Sequence, residues 1–352
     1  MDKLRKLYPE GQLNEADLNR DFTKNTMSSE DSKVLDVKTA NEWIEMAKSK
    51  PIPLSLLDCL WFQGELAILF ADTNAGKSVF AVQIADALTN MTCIEPFSKC
   101  SSGFNVLYCD FEMSDKQFEN RYSEEYSNHY LFSPNFFRAE LNLDEFLLKT
   151  DIPIEEQICN EIVSYISRHN AQIVIIDNLT YIAKEIEKSK NIQPIMQKLK
   201  WINKKYGTSI LVLAHTPKRD LSRPLTSSDI NGSKFLSNFA DSIFAIGKSA
   251  KDESLKYVKQ IKSRNSAYVF GAENVVVFTI EKEFNFLLFN YQQMDTEIDH
   301  LHVRSKEEMN ELDRQILEEH KNDPNLSFGK IAEKVGTNKM RVKRLIDRNS
   351  NL

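Results

Sequence analysis

Cysteine and long apolar stretches are both scarce in this sequence of 352 residues. The five cysteines form no C-x-x-C pair, which argues against a zinc site and indicates no disulfide framework. No apolar run approaches the roughly 18 residues that cross a membrane, and the opening stretch, MDKLRKLYPEG, lacks the apolar core of a signal peptide. We therefore expect a cytoplasmic protein whose fold depends on neither disulfides nor zinc.

An excess of positive charge is also missing. Acidic residues number 51 and basic residues 45, which gives a formal net charge of −6. The chain as a whole is therefore no polycation, and binding to nucleic acid would need a local positive patch. The length leaves room for one large domain and a small one, and 41% hydrophobic with 27% charged residues is typical of a globular protein.

The apolar pattern divides the chain into five regions. Strand-like runs alternate with helical ones between about residues 52 and 290, which predicts an α/β fold with a mostly parallel sheet. The closely spaced runs that end this region predict antiparallel strands over 255–262, 275–280 and 284–290. A T-x-x-E capping box, Thr39 to Glu42, predicts a helix that ends near Lys48. The predicted regions are a flexible arm (1–36), a lead-in helix and linker (37–54), the α/β domain (55–290), a linker (291–304) and a small all-α domain (305–352).

The stretch ADTNAGKS, residues 71–78, follows an apolar run and precedes a helical pattern, which is the context of a G-x-x-x-x-G-K-[ST] phosphate-binding loop. Gly76 fills the place beside the lysine, whereas Ala71 replaces the first glycine at the strand end, where negative φ suffices. We expect Lys77 to reach the β- and γ-phosphates of ATP and Ser78 to ligate Mg²⁺. The predicted nucleotide-binding residues are Ala71, Asp72, Thr73, Asn74, Ala75, Gly76, Lys77, Ser78 and Val79. The alternative is an ordinary strand–turn–helix with a chance GKS.

Polar side chains follow the other predicted parallel strands. The stretch NVLYCDFEMS (105–114) ends in acidic residues, QIVIIDNL (172–179) carries Asp177 at its strand end, and SILVLAHTPK (209–218) carries His215. Open α/β sheets place their ligands at the carboxyl ends of the strands. Asp177 is therefore suited to hold Mg²⁺ as a Walker B aspartate does.

Together these motifs resemble the RecA-like P-loop ATPases, and among them the hexameric helicase group of DnaB-type and plasmid RepA-type proteins. The resemblance covers roughly residues 55–290. It implies that Glu112, in the stretch FEMS, activates the attacking water, with Asp110 as the second candidate. It also implies that His215 senses the γ-phosphate. The alternatives are a solvated acid at the end of a strand for Glu112 and a core histidine for His215.

The same resemblance implies residues that act between subunits. The stretch KQIKSRN (259–265) is similar to one whose lysine and arginine reach the γ-phosphate bound by the next subunit, which assigns that role to Lys262 and Arg264 and implies a homo-oligomer such as a hexamer. Gly232, Ser233 and Asp241 also fall at matching places. Surface charge is the alternative for Lys262 and Arg264. The departures from the family are Ala71, a histidine where DnaB-type proteins usually carry glutamine, and no preceding DnaB-type domain.

The polar stretch 217–232 is predicted either to line a pore with Lys218, Arg219 and Arg223 facing DNA phosphates or to be a plain solvated loop.

The C-terminal stretch SFGKIAEKVGTNKMRVKRLIDR, residues 327–348, follows a predicted helix over 306–321. Ser327 can cap one helix, Gly336 suits the left-handed position that ends it, and Thr337 or Asn338 can cap the next. This pattern predicts a helix-turn-helix. Its second helix would present four cations to DNA: Lys339, Arg341, Lys343 and Arg344. The alternative is a small helical unit that contacts protein.

These observations lead us to expect an ATP-hydrolysing, Mg²⁺-dependent enzyme that acts on DNA. The first hypothesis is an oligomeric RepA-type helicase that serves replication of a plasmid or another mobile element. The second is a non-motor ATP switch that binds DNA and recruits or regulates partners. The third is a RecA relative of recombinase-mediator or clock type without unwinding activity.

Overall fold

The computed structural model describes residues 35–98, 100, 102–142, 152–178, 193–216, 219–230, 233–302 and 306–350. By its contacts the chain divides into two units, Met1–Ile52 and Pro53–Leu352. In the first unit, helix α1 (Ala40–Lys48) begins with the predicted capping box between Thr39 and Glu42. No side chain of α1 is buried. The arm predicted over 1–36 lies almost wholly outside the described residues.

In the second unit, every strand and helix predicted between residues 66 and 214 is present, but short strands that were not predicted interrupt their alternation. The elements, in chain order, are β1 (Ser55–Leu57), β2 (Trp61–Phe62), β3 (Leu66–Ala71), α2 (Lys77–Asn90), β4 (Val106–Asp110), α3 (Asp115–Arg121), β5 (Ser123–Glu124), β6 (Asn128–His129), β7 (Phe136–Ala139), α4 (Ile154–His169), β8 (Ile173–Asp177), α5 (Gln193–Tyr206), β9 (Ser209–His215), α6 (Ser233–Phe239), β10 (Ser242–Lys248), β11 (Leu255–Lys262), β12 (Val275–Glu283), β13 (Phe286–Asp295), α7 (Lys306–Asn322), α8 (Phe328–Lys334) and α9 (Lys339–Ser350).

The central sheet has the order β13-β12-β11-β10-β3-β9-β8-β4-β7. From β10 to β7 neighbouring strands are parallel, and from β10 to β13 they are antiparallel. This arrangement confirms the predicted α/β fold with a RecA-like P-loop core. Every residue of β3 is buried, as expected for a strand with helices on both faces. Strands β7 and β10 were not predicted, because β7 is a short edge strand and β10 lies in a segment interpreted by resemblance alone.

Helix α2 packs on one face of this sheet through aromatic side chains. Phe80 contacts the rings of Phe97, Phe278 and Phe289 at centroid distances of 6.3, 6.0 and 4.9 Å. The amide of Gln83 also bonds both backbone groups of Phe289. The first turn of α2, which follows the phosphate-binding loop, is therefore held against the β12–β13 hairpin.

The prediction of a linker over 291–304 is wrong for most of its length. Strand β13 continues to Asp295, and the short helix Glu297–His300 packs against the sheet. Buried Glu297 pairs with Lys259 at 2.5 Å, and buried His300 lies 2.7 Å from the hydroxyl of Ser249. The segment was interpreted as a linker because it is polar. Its polar groups are nevertheless buried, because they have partners elsewhere in the chain that the sequence pattern does not reveal.

The three C-terminal helices share a small apolar core, which contains Leu312, Ile316, Ile331, Ala332, Val342 and Ile346. The predicted local features are confirmed: the Ser327 side chain caps α8, and Gly336 has φ of +67°. Of the two candidate caps for α9, the structure selects Asn338, whose side chain accepts from the N–H of Arg341 at 2.8 Å. Across all the helices that the structure describes, none is long and apolar enough to span a membrane.

Candidate active site

The loop 71–76 lies at the carboxyl edge of the sheet, between β3 and α2. Ala71 is the last, fully buried residue of β3 and has no left-handed φ, as predicted. Gly76 has φ of +90°, and a Cβ there would lie 2.5 Å from Ile280 and 2.8 Å from Phe289. Asn74 is left-handed as well, with φ of 59°. Gly76 is therefore required by both its backbone conformation and the hairpin packed beneath the loop.

Lys77 lies at the centre of this loop and is only 6% exposed. Its Nζ donates to the carbonyls of Ala71 at 3.1 Å and Asp72 at 3.3 Å, and lies 3.1 Å from Nδ1 of His215. Burial lowers the pKa of Lys77, and nearby carboxylates, first that of Asp177, oppose this. Carbonyls and a ring nitrogen thus hold a buried cation where phosphates of ATP would arrive.

Asp177 ends β8 and is buried beside the first turn of α2. Burial raises its pKa to about 6, while hydrogen bonding with Ser78 and Tyr108 lowers it in part. The Tyr108 hydroxyl donates to Oδ2 at 2.6 Å. Within the described part of the chain, Oδ1 of Asp177 is buried and has no partner at normal hydrogen-bond length.

This orphaned oxygen beside Ser78 fits a Mg²⁺ ion. Mg²⁺ is commonly held by one or two protein oxygens together with water and substrate phosphates. No cluster of three or more His, Cys, Asp or Glu side chains suited to a metal occurs among the described residues. A pair made of Ser78 and Asp177 suits Mg²⁺ that arrives with a nucleotide.

Glu112, His215 and Asn178 meet beside Lys77. The amide of Asn178 donates to Oε1 of Glu112 and lies 2.9 Å from Nε2 of His215. The same Oε1 lies 3.6 Å from Nε2 of His215. A hydrogen bond with His215 lowers the pKa of Glu112, burial raises it, and Asn178 and Lys77 lower it further. Glu112 is therefore held as a carboxylate, the form that a general base needs.

Sequence reasoning missed Asn178, although it directly follows Asp177. It is fully buried and links the predicted base to the predicted sensor. The available signal was its position, since a polar residue after a buried parallel strand lies at the ligand-binding edge of the sheet.

Asp110, the second candidate for the base, is occupied by other groups of the chain. Its Oδ1 accepts the N–H groups of Glu112 at 3.2 Å and Met113 at 3.0 Å. Its Oδ2 accepts from Nε of Arg138 at 3.0 Å. These bonds leave Glu112 as the better-placed acid.

Lys262 and Arg264 lie toward the opposite edge of the sheet from the loop. Lys262 is in register with Ile243, which pairs with Ile68, three residues before Ala71. At roughly 3.3 Å per residue, that separation is about 10 Å along the strand, and the chain then continues away from the loop. Lys262 donates to the carbonyls of Ser237 and Ala240 at 2.7 Å, and Arg264 pairs with Asp241 at 3.0 Å while remaining 53% exposed.

Both interpretations of the stretch 217–232 expect an exposed Arg219, and the structure differs from them at this residue. Its side chain is only 5% exposed and lies 4.0 Å from Asp72 of the loop and 3.9 Å from Asp229. Two carboxylates from separate turns draw the guanidinium inward, which sequence pattern could not show. Arg223 is half exposed and lies 3.6 Å from Asp220.

Other residues in these segments are only partly described. Lys218 and Gly232 lie outside the described residues, and Ser233 begins α6. Asp241 accepts from Lys200 as well as from Arg264 and the N–H of Leu66.

The four cations predicted to bind DNA differ in their surroundings. Lys339, Lys343 and Arg344 are exposed on α9. Arg341 instead donates twice to Asp313 of α7, at 3.0 and 2.7 Å. Arg341 therefore joins two of the three C-terminal helices. We call these helices, α7 to α9, the C-terminal unit.

Comparisons with known proteins bear on the P-loop half of the chain. Residues 29–220, more than half of the sequence, match the model of a family described as an AAA domain. No curated protein matches the chain. Among solved structures, it is similar to a KaiC-like protein from the hyperthermophilic archaeon Pyrococcus horikoshii, with a TM-score of 0.46 and 16% identity over 65% of this chain and 90% of that one.

Proposed function

We propose that this chain, which belongs to the AAA domain family, is a Mg²⁺-dependent ATPase. We propose further that it acts on DNA as an oligomer, in the manner of a RepA-type helicase of a plasmid or mobile element. One observation carries the ATPase part of this proposal. Lys77, Glu112 and His215 come from three different segments and are linked by short contacts at one edge of the sheet, where the carboxylate of Asp177 also raises the pKa of Lys77.

The residues divide the chemistry among them. Lys77 would exchange its bonds to the carbonyls of Ala71 and Asp72 for the β- and γ-phosphates of the substrate ATP. Ser78 and Asp177 would hold Mg²⁺, which when bound neutralises charge that develops on the phosphates. Such positioning and electrostatic stabilisation supply most of the catalysis in phosphoryl transfer.

Glu112 would accept a proton from the attacking water. The water oxygen forms a bond to the γ-phosphorus, the bond from that phosphorus to the bridging oxygen breaks, and ADP leaves with the electron pair. Asn178 and His215 hold the carboxylate of Glu112 for this step. His215 also contacts Lys77, so the same ring couples the phosphate-binding cation to the base.

Support for action on DNA comes from the C-terminal unit. The exposed cations Lys339, Lys343 and Arg344 lie on α9, which follows α8 after a short turn through Gly336. A helix-turn-helix uses such a second helix in the major groove, where cations meet phosphates and base edges.

A non-motor, DNA-binding ATP switch is the second candidate. The observation that favours it is that Lys262 and Arg264 already have partners within their own chain. Cations committed in this way would not act on a neighbour's phosphate, and hydrolysis would then not depend on a shared site.

The first test is ATP turnover by the Lys77→Ala variant. We expect turnover to be abolished, because no other residue of the loop can hold the β,γ-phosphates as a cation. Lys198→Ala is the control, since Lys198 is a partly buried cation that pairs with Glu156 away from the loop. If Lys77→Ala keeps most of its turnover, the phosphate-loop assignment is wrong. ATP-dependent strand displacement on a forked duplex then separates the helicase from the switch.

A further inference from the structure

The turn that carries Glu112 is held by hydrogen bonds to two aspartates, one at the end of β4 and one at the end of β8. Asp110, at the end of β4, accepts the N–H groups of Glu112 and Met113. The N–H of Phe111 donates to the carbonyl of Asp177 at 2.7 Å, which ties the turn to the Mg²⁺ side of the site. The backbone around Glu112 is thus determined largely by the carboxylate of Asp110.

Arg138, from the edge strand β7, fixes that carboxylate. Its Nε donates to Asp110 at 3.0 Å, and another nitrogen of the same guanidinium donates to the carbonyl of Met113 at 2.9 Å. One planar group therefore holds both ends of the turn. The guanidinium also lies 4.7 Å from the centre of the Phe118 ring, and the side chain is only 16% exposed.

Two acidic residues hold the remaining side of the guanidinium. Arg138 pairs with Asp115, the first residue of α3, at 3.0 Å, and with Glu140 just after β7. These contacts leave Arg138 few alternative positions. A lysine could replace the charge but not the fork, since an ammonium is a point donor and does not bind two acceptors in one plane.

We propose that Arg138 is a positioning residue that sets the place of Glu112 against the attacking water through Asp110 and Met113. This inference rests on the proposed ATPase function. Displacement of a catalytic group by about 1 Å can cost on the order of 10²-fold in rate even when the altered residue lies outside the reacting atoms. Arg138 itself has no contact with Lys77, Ser78 or Asp177 among the described side chains, so nucleotide binding should not depend on it.

The test is a double-mutant cycle in which kcat for ATP and Kd for a non-hydrolysable ATP analogue are measured. Glu112→Gln alone should bind nucleotide and lose roughly 10²–10⁴-fold in kcat, as is typical of general-base loss. Arg138→Ala alone should lose roughly 10–10²-fold in kcat with Kd unchanged. In the Glu112→Gln background, Arg138→Ala should cause almost no further loss, because coupled residues are not additive.

Two further measurements separate positioning from general damage to the fold. Added guanidinium ion should restore part of the turnover of Arg138→Ala and none of the turnover of Glu112→Gln. Arg138→Lys, which keeps a cation in place if alanine fails to fold, should also lose kcat at unchanged Kd, but by a smaller factor than Arg138→Ala. Lys198→Ala should be unaffected in both quantities.

The inference is overturned if Arg138→Ala weakens analogue binding as much as it slows turnover, or if its effect adds fully to that of Glu112→Gln. Failure of the proposed function has a different signature. The wild-type protein would then show no ATP turnover, and kcat could not be measured for any variant. Wild-type turnover by Glu112→Gln would instead contradict the assignment of Glu112 as the general base.

Discussion

At the scale of single residues, Asp177 combines burial with a proposed task, the binding of Mg²⁺, that needs its charge. Burial raises its pKa to about 6, while Mg²⁺ binds the ionised carboxylate. As pH falls through this value, the carboxylate takes up a proton, and that proton must leave before the metal can bind. Proton and metal therefore compete for one buried oxygen pair.

We expect the affinity for Mg²⁺ to weaken as pH falls below about 6, by up to about tenfold per pH unit for one competing proton. Calorimetric titration of Mg²⁺ into the protein–analogue complex, between about pH 5 and pH 8, measures this dependence. The nucleotide also takes up protons in this range, so the same titration of Asp177→Asn provides the reference. Identical pH dependence in both proteins would contradict the assignment of Asp177.

At the scale of elements, α9 combines two kinds of cation with different surroundings. Lys339, Lys343 and Arg344 are exposed, whereas Arg341 bonds Asp313 of α7. An exposed cation that meets a phosphate contributes to affinity and to its salt dependence. An arginine that joins two helices contributes to the stability of the unit.

Deletion of residues 306–352 should leave basal ATP hydrolysis nearly intact, because all the residues proposed to bind the nucleotide lie in the sheet and its loops. The deletion should weaken binding to duplex DNA and flatten its salt dependence. Replacing Lys339, Lys343 and Arg344 with glutamine should reduce the slope of log K against log salt by roughly one unit per lost phosphate contact.

Arg341→Gln is the matched control for these variants. It removes one charge from the same helix but should act mainly by lowering the melting temperature of the C-terminal unit. If the truncated protein binds duplex DNA as tightly, with an unchanged salt slope, then α9 does not bind DNA. Contact with protein would then be the function of these helices.

At the scale of the whole molecule, the sheet separates two sets of groups. The phosphate-binding loop lies at the carboxyl edge of β3, and Lys262 and Arg264 lie toward the other edge. In a chain built this way, the phosphate-binding loop and the two cations can meet at one ATP only if a second copy of the chain supplies the cations. This placement is what the proposal of a shared site requires.

Arg264→Ala should bind ATP normally and hydrolyse it poorly, by a factor on the order of 10³–10⁵ if it behaves as trans-acting arginines do in GTPases. Mixing Arg264→Ala with Lys77→Ala should recover some turnover, because a mixed interface can hold one intact loop and one intact arginine. Particle size measured with and without ATP shows whether the oligomer forms.

A second mixture controls this complementation. Lys77→Ala and Glu112→Gln carry their defects on the same side of the proposed interface, so mixing them should recover nothing. Absence of recovery from Arg264→Ala with Lys77→Ala at every ratio, with subunit exchange demonstrated, would contradict a shared site and favour the ATP switch.

Local pattern was enough to predict several features of this protein. The loop 71–78, the aspartate at the end of β8 and the turns around Gly76 and Gly336 follow from apolar runs, glycine placement and capping residues within a few positions of one another. Such features are dictated by backbone conformation and by the period of the pattern. The mostly parallel sheet and the Ser327 cap could be predicted for the same reason, whereas the choice of Asn338 over Thr337 could not.

Only the tertiary structure decided which polar groups become partners. Arg138 reaches Asp110 across 28 positions, Asn178 reaches Glu112 across 66, and Arg219 lies against Asp72 from a distant turn. The buried pair of Lys259 and Glu297 likewise turned a predicted linker into part of the fold. A buried charge must find a partner wherever the packed chain supplies one, and that choice depends on distances between segments that no local pattern contains.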